Sequence, residues 1–110
     1  MTVVTVNGGA CGFLARIRTT KLDKQSLRIE IESECEFVQE LSRVFGQNGP
    51  LTLQDILGTS EAGNPVFREA SLCLPHSACP VRIAVLKAAE VELGLNVPCD
   101  ISIEFERIPQ

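Results

Sequence analysis

The side chains of this 110-residue chain best suited to chemistry are its cysteines and its single histidine. Cys73, His76 and Cys79 lie within the seven residues CLPHSAC, Cys11 lies in the glycine-rich stretch NGGACG, and Cys35 lies in SECEF. Thiolates and imidazoles bind soft metal ions, and a thiolate is also a nucleophile. These residues therefore indicate a metal site or thiol chemistry, to be weighed against ordinary buried cysteines.

A metal site is the favoured hypothesis. We expect Cys11, Cys35 and Cys79 to be the core ligands, with His76 or Cys73 as the fourth. The three-residue spacing of His76 and Cys79 is short enough for both to ligate one ion. Thiolate ligands select zinc or an iron–sulfur cluster over magnesium or calcium, and the ligand types alone do not separate the first two.

Two other functions stay open. In a thiol-based sulfur relay or redox protein, Cys79 is the activated nucleophile and His76 its base. In a protein-interaction module, all the sulfurs are core atoms, which is the interpretation we adopt for Cys99. The sequence contains neither an oxyanion-hole motif nor a carboxylate that would orient His76, so it favours a non-enzymatic role.

Composition limits the partners. The net charge of −4 and the isoelectric point near 4.9 argue against nucleic acid and anionic membranes. The first residues lack a secretory signal pattern, and no apolar run reaches the ~18 residues of a membrane span, so we expect a cytoplasmic protein. A metal ion, a protein client and a homo-oligomer remain as candidate partners. The length fits a single domain over residues 1–110.

Alternating apolar residues predict the strands. TVVTV is β-branched, and FLARIRTT and SLRIEIES alternate on either side of KLDKQ, which predicts a hairpin with Arg16 facing Glu30. DISIEFERI predicts a last strand with Ile101, Ile103 and Phe105 inward. The expected fold is α+β, with a three-stranded antiparallel meander plus a C-terminal strand and two or three helices packed on one face.

Helical periodicity appears in two longer segments. SECEFVQELSRVFG reads as a helix with a Ser33–Glu36 capping box and Gly46 as its C-cap. Residues 80–93 predict the most buried helix, with Pro80 in its first turn. Between them, Thr52 opens a short helix, and residues 59–71 read as a polar loop.

This order of elements predicts where the cysteines meet. Strand directions put Cys11 and Cys35 at one end of the sheet, and Cys79 joins them if the last helix starts there. Cys99 would then lie at the opposite end. Cys35 in the first turn of a helix and Cys79 at an N-cap are positions where the helix dipole favours a thiolate.

The segments ACGFLARIRT, ECEFVQEL and HSACPVRIAVLKAAEVEL resemble in layout the three cysteine-bearing segments of the iron–sulfur cluster assembly scaffold proteins, over about residues 7–93. This resemblance implies Cys11, Cys35 and Cys79 as ligands, although Phe13 stands where that family has an aspartate. The segment HSACP also resembles the small domain named for its Thr-Ser-Cys-Pro-Asp motif. The whole chain is similar to small uncharacterised proteins of anaerobic bacteria and archaea.

Overall fold

The computed structural model describes residues 1–58 and 63–109. Within them, four strands form one antiparallel sheet in the order β1-β2-β3-β4. These strands are β1 (Thr2–Asn7), β2 (Leu14–Asp23), β3 (Ser26–Ser33) and β4 (Leu51–Thr52). The helices are α1 (Glu36–Asn48), α2 (Leu53–Leu57), α3 (Pro65–Cys73) and α4 (Val81–Glu92). The α+β class and the antiparallel meander are confirmed. None of the helices described has the length and apolar character needed to cross a membrane.

The sheet is covered by helices on one side. Alternate residues of β2 and β3, such as Ile17 and Ile29, are buried in the core, and their neighbours, such as Arg16 and Glu30, are exposed. Period-two alternation therefore produces one apolar and one charged face. Helix α1 packs on β3, and α4 packs on β1 and β2.

The register of the β2–β3 hairpin differs from the prediction. Arg16 pairs with Glu32, whereas Arg18 pairs with Glu30 and forms ion pairs with both glutamates, at 3.5 Å to Glu30 and 2.9 Å to Glu32. The strands run further than expected, so only residues 24–25 form the turn, and the ladder has an irregularity between Lys21 and Asp23. The expected pairing of Arg16 with Glu30 is wrong for this reason.

Helix α1 begins and ends later than predicted. Cys35 is its N-cap, and the Ser33 hydroxyl accepts a hydrogen bond from the Cys35 N–H and donates one to the Leu14 carbonyl, so the Ser33–Glu36 capping box is wrong. Gly46 lies inside the helix, and Gly49, with φ +81°, follows its end.

The middle of the chain is more helical than its sequence indicated. Thr52 caps α2 through a reciprocal box with Asp55, as expected. The predicted polar loop instead contains most of α3, which starts where the Asn64 side chain accepts hydrogen bonds from the N–H groups of Val66 and Phe67. Residues 59–62 of that loop lie outside the described residues.

Helix α4 is the central helix, as predicted, but it begins at Val81 with Pro80 as its N-cap, so the prediction of Cys79 at the N-cap is wrong by one residue. Its far end is held at the edge of the sheet where β1 starts. The Glu92 carboxylate accepts hydrogen bonds from the Thr2 hydroxyl and the Lys21 N–H, each at 2.8 Å. The buried Thr19 hydroxyl also donates to the Ala88 carbonyl at 3.2 Å. Helix α4 therefore runs antiparallel to β1.

The predicted C-terminal strand does not form. In the described chain, residues 97–109 are neither helix nor strand, and the fourth strand of the sheet is β4 instead. Ile101, Ile103 and Phe105 are exposed, Phe105 at 97%. The prediction failed because alternation makes a segment fit for a strand without supplying a neighbouring strand to pair with. Cys99 is exposed as well, so its assignment to the core is wrong.

Candidate functional site

The β1–β2 loop holds Cys11 against its own backbone. The Gly8 N–H donates to the Phe13 carbonyl at 2.8 Å, and this hydrogen bond closes the loop around a short 3₁₀ turn, Gly9–Cys11. A Cβ atom placed on Gly8 would lie only 2.5 Å from the Cys11 sulfur. Gly8 thus leaves the space that the thiol fills.

The loop between α3 and α4 carries His76 and Cys79. It forms a turn in which the Cys79 N–H donates to the His76 carbonyl at 3.2 Å. The same carbonyl accepts a hydrogen bond from the Arg82 guanidinium Nη2 at 2.9 Å. Arg82 is buried in the first turn of α4, so a fixed side chain holds the backbone at His76.

The two loops meet at one pocket. Cys11 from the β1–β2 loop lines it together with His76 and Cys79, and its volume is about 310 Å³. The remaining lining residues are Gly8, Ala10, Ala78 and Pro80. Cys11 and His76 are exposed, whereas Cys79 is half-buried and packs in part against the core while also lining the pocket.

The other predicted ligands lie elsewhere. Cys35 is at the sheet end expected for it, since Ser33 pairs with Ala15 beside the β1–β2 loop, but it is not among the residues that line the pocket. Cys73 is the last residue of α3 and packs against the core. Over residues 1–58 and 63–109, no group of three or more Cys, His, Asp or Glu side chains is gathered as a metal would require, and this includes Cys11, His76 and Cys79, which share the pocket without being drawn together.

The environment of Cys73 disfavours its thiolate. Burial raises the pKa of the Cys73 thiol, the carboxylates of Glu40 and Glu69 raise it further, and the Arg43 guanidinium offsets only part of this. Because the thiolate is the form that binds a metal, Cys73 is poorly suited as a ligand at neutral pH.

Comparison with known proteins gives one relationship. A family model described as "Family of unknown function (DUF6951)" matches residues 2–105. The chain belongs to this family. In this DUF6951 chain, the match includes Cys11, His76 and Cys79, and it ends within the exposed C-terminal segment. No curated protein and no solved structure matches.

Arg82 is a residue of this DUF6951 site that the sequence analysis missed. It is 7% exposed, and its Nε has no hydrogen-bond partner among the described residues. The signal was present, because Arg82 follows Val81 and precedes Ile83 and Ala84 in an almost continuous apolar helix. A charged side chain that is buried in such a helix nearly always forms hydrogen bonds inside the protein.

Proposed function

We propose that this protein binds a soft metal ion, with zinc as the best fit, through Cys11, His76 and Cys79. The observation that supports this is the pocket that these three side chains line together, although they come from distant parts of the sequence. Two thiolates and an imidazole form a donor set typical of zinc. Three protein ligands leave a fourth position for water or an exchangeable ligand, which suits a carrier.

The composition of the pocket favours zinc over an iron–sulfur cluster. Clusters are held mainly by four cysteine thiolates. The pocket lining contains two cysteines, and Cys35 and Cys73 are not part of it. The resemblance of the sequence layout to the cluster scaffold proteins would make Cys11 and Cys79 ligands in either case. In our proposal, zinc assembles its site by drawing the three side chains together.

Zinc titration against a competing chelator, on anaerobically purified untagged protein, tests the proposal. We expect about one zinc per chain, and Cys11→Ser, Cys79→Ser and His76→Ala should each lower the affinity at least tenfold. Cys99→Ser is the matched control, because Cys99 is exposed and lies outside the pocket lining. Cobalt substitution would report the number of thiolates through its sulfur charge-transfer absorption. Unchanged affinity in all three pocket variants would refute the site.

One observation favours thiol chemistry as the second candidate. Cys79 and His76 lie in a single turn, joined by the hydrogen bond from the Cys79 N–H to the His76 carbonyl, and both line the pocket. In a sulfur relay, the Cys79 thiolate would attack the outer sulfur of a donor persulfide. Cys79 would become the persulfide, and the donor would leave as a thiolate.

Alkylation of the metal-free protein separates the two candidates. Under the second, mass spectrometry should find Cys79 alkylated at least tenfold faster than Cys99, and His76→Ala should remove that advantage. Equal rates for Cys79 and Cys99, together with stoichiometric zinc binding, would leave only the metal site.

A further inference from the structure

The last described residues alternate apolar and polar side chains as a strand does, and their apolar side chains are exposed. We call residues 100–106 the arm. Its odd-numbered positions include Ile101, Ile103 and Phe105, which are 57%, 84% and 97% exposed. Its even-numbered positions include two glutamates, Glu104 and Glu106. Such a row of exposed apolar side chains is uncommon on a soluble monomer and indicates an interaction surface.

The sheet has an edge that the arm fits. Strand β1 is the outer strand on one side, with β2 as its only neighbour in the described sheet. Its six residues, TVVTVN, contain no proline, charge or bulge of the kind that usually protects an edge. The opposite edge, β4, is only two residues long. Beyond β4, the outer edge of β3 carries Arg28, Glu30 and Glu32, and its Ile31 N–H already donates to the Ser42 hydroxyl at 2.9 Å. Strand β1 is therefore the less protected edge.

The two faces of the arm match the two faces at β1. On the helix side, Val4 and Val6 are only half-buried, so apolar residues on an added strand would extend the core there. On the open side, Thr5 pairs with Arg16, which is exposed and forms no ion pair in the described chain. An acidic face on the added strand would meet this free cation.

We propose that the arm of one chain adds as a strand to β1 of a second copy of this chain, and that the exchange is reciprocal. The arm's apolar face would lie beside Val4 and Val6, and its glutamates near Arg16. A second copy is the fitting occupant because each chain carries both the exposed apolar side chains of the arm and the β1 edge with Arg16 beside it, so that two copies complement each other. Reciprocal exchange closes a two-fold dimer and leaves no β1 edge unpaired.

Light scattering after size exclusion, at several protein concentrations, tests the exchange. We expect the wild type to be a dimer, and Ile103→Asp with Phe105→Asp to yield a monomer. These side chains are exposed in the single chain, so their substitution leaves its core intact. Leu72→Asp on α3 is the matched control, because Leu72 is 78% exposed outside the arm, and it should remain dimeric. A wild type that is monomeric at every concentration, or a dimer unaffected by the arm variant, would overturn the proposal.

Charge reversal tests the contact itself. Arg16→Glu should weaken the dimer about tenfold, and adding Glu104→Arg and Glu106→Arg should restore it. Hydrogen exchange would locate the pairing: β1 amides should be protected in the wild type and exchange at least tenfold faster in the arm variant. Arm-dependent protection of β1 in a monomer would mean that the arm folds onto its own chain, and this result would also overturn the exchange. The proposed zinc site plays no part in these outcomes.

Discussion

Gly8 and the Cys11 thiol occupy one small volume at the end of β1. The backbone at Gly8 is ordinary, with φ −70° and ψ −7°, so the turn itself does not require glycine there. The requirement is space, because an added Cβ would lie 2.5 Å from the Cys11 sulfur and 3.3 Å from the Phe13 carbonyl oxygen. The thiol can rotate away, whereas the carbonyl is part of the loop.

Gly8→Ala should therefore displace the Cys11 thiol and lower the stability of the protein only modestly. We expect it to cost about 1 kcal/mol, the scale of an unfavourable side-chain conformation, and to weaken zinc binding at the proposed site. In a Cys11→Ala background most of that cost should vanish. Urea unfolding of the four proteins of this double-mutant cycle measures the coupling.

Gly46→Ala provides the control of opposite sign. Gly46 lies inside α1 with open space around its position, so alanine should stabilise the protein by about 0.5–1 kcal/mol. An equal cost of Gly8→Ala with and without the Cys11 thiol would show that the sulfur contact is not what the glycine accommodates.

Among the elements, α4 is joined to β1 and β2 at its C-terminal end by one carboxylate, that of Glu92. Burial raises the pKa of Glu92, but hydrogen bonds from the Lys21 N–H and the Thr2 hydroxyl, with the Met1 amino group, outweigh burial and leave the pKa below its ordinary value of 4.5. A lowered pKa in the folded state adds stability above pH 4.5, and this stability is lost as the pH falls through the folded value.

Glu92→Gln should loosen the junction of α4 with β1 and β2. We expect a loss of about 1–2 kcal/mol at neutral pH, the scale of hydrogen bonds to a charged group, and a weaker dependence of stability on pH below 4.5. Urea unfolding at several pH values measures both. Glu40→Gln is the control, since Glu40 is exposed on α1 and its one hydrogen-bond partner within residues 1–58 and 63–109 is its helical neighbour Arg43, and it should change stability little. A Glu92 variant with the acid dependence of the wild type would contradict the assignment.

Local patterns in the sequence predicted the elements better than their partners. Periodicity was enough for α4 and for the β2–β3 hairpin, because apolar spacing is a property of each segment alone. Helix α3 was missed although Asn64 and Pro65 form a helix N-terminal signal. The polar residues before Asn64 led us to predict one continuous loop. The arm shows the converse, a strand pattern whose neighbour the sequence does not specify.

The site was predictable to the extent that strand direction determines position. Opposite directions of β1 and α4 bring Cys11 and Cys79 to one pocket, as the order of the elements indicated. The order of the elements did not, in contrast, predict which side chains line the pocket. Cys35 reaches the right end of the fold as the N-cap of α1, yet it is not among the residues that line the pocket.

At the scale of the whole molecule, the fold is a single layer of helices on a sheet whose other face is open. That open face carries compensating charges, such as Arg18 between Glu30 and Glu32, and so is stable in water. The edge at β1 has no comparable protection within the described residues. The arm and the β1 edge are thus two parts of the described surface that have no pairing partner in a single copy.

The pocket also joins early and late parts of the chain, since Cys11 and His76 are 65 positions apart. The β2–β3 hairpin and α1 are built from neighbouring segments, whereas the pocket exists only after α4 has docked on β1. Contacts of such long sequence separation tend to form late in folding. The pocket should therefore be absent from the folding transition state.

A zinc ion bound in the pocket should therefore slow unfolding and leave the folding rate almost unaltered. Stopped-flow unfolding in guanidinium should slow about tenfold in saturating zinc, with refolding within twofold of the metal-free rate. Zinc should not slow the unfolding of Cys79→Ser. Faster refolding with zinc would place the pocket in the nucleus instead. For a carrier, this means that cargo is bound only by chains that have finished folding, and that the loaded form outlives the empty one.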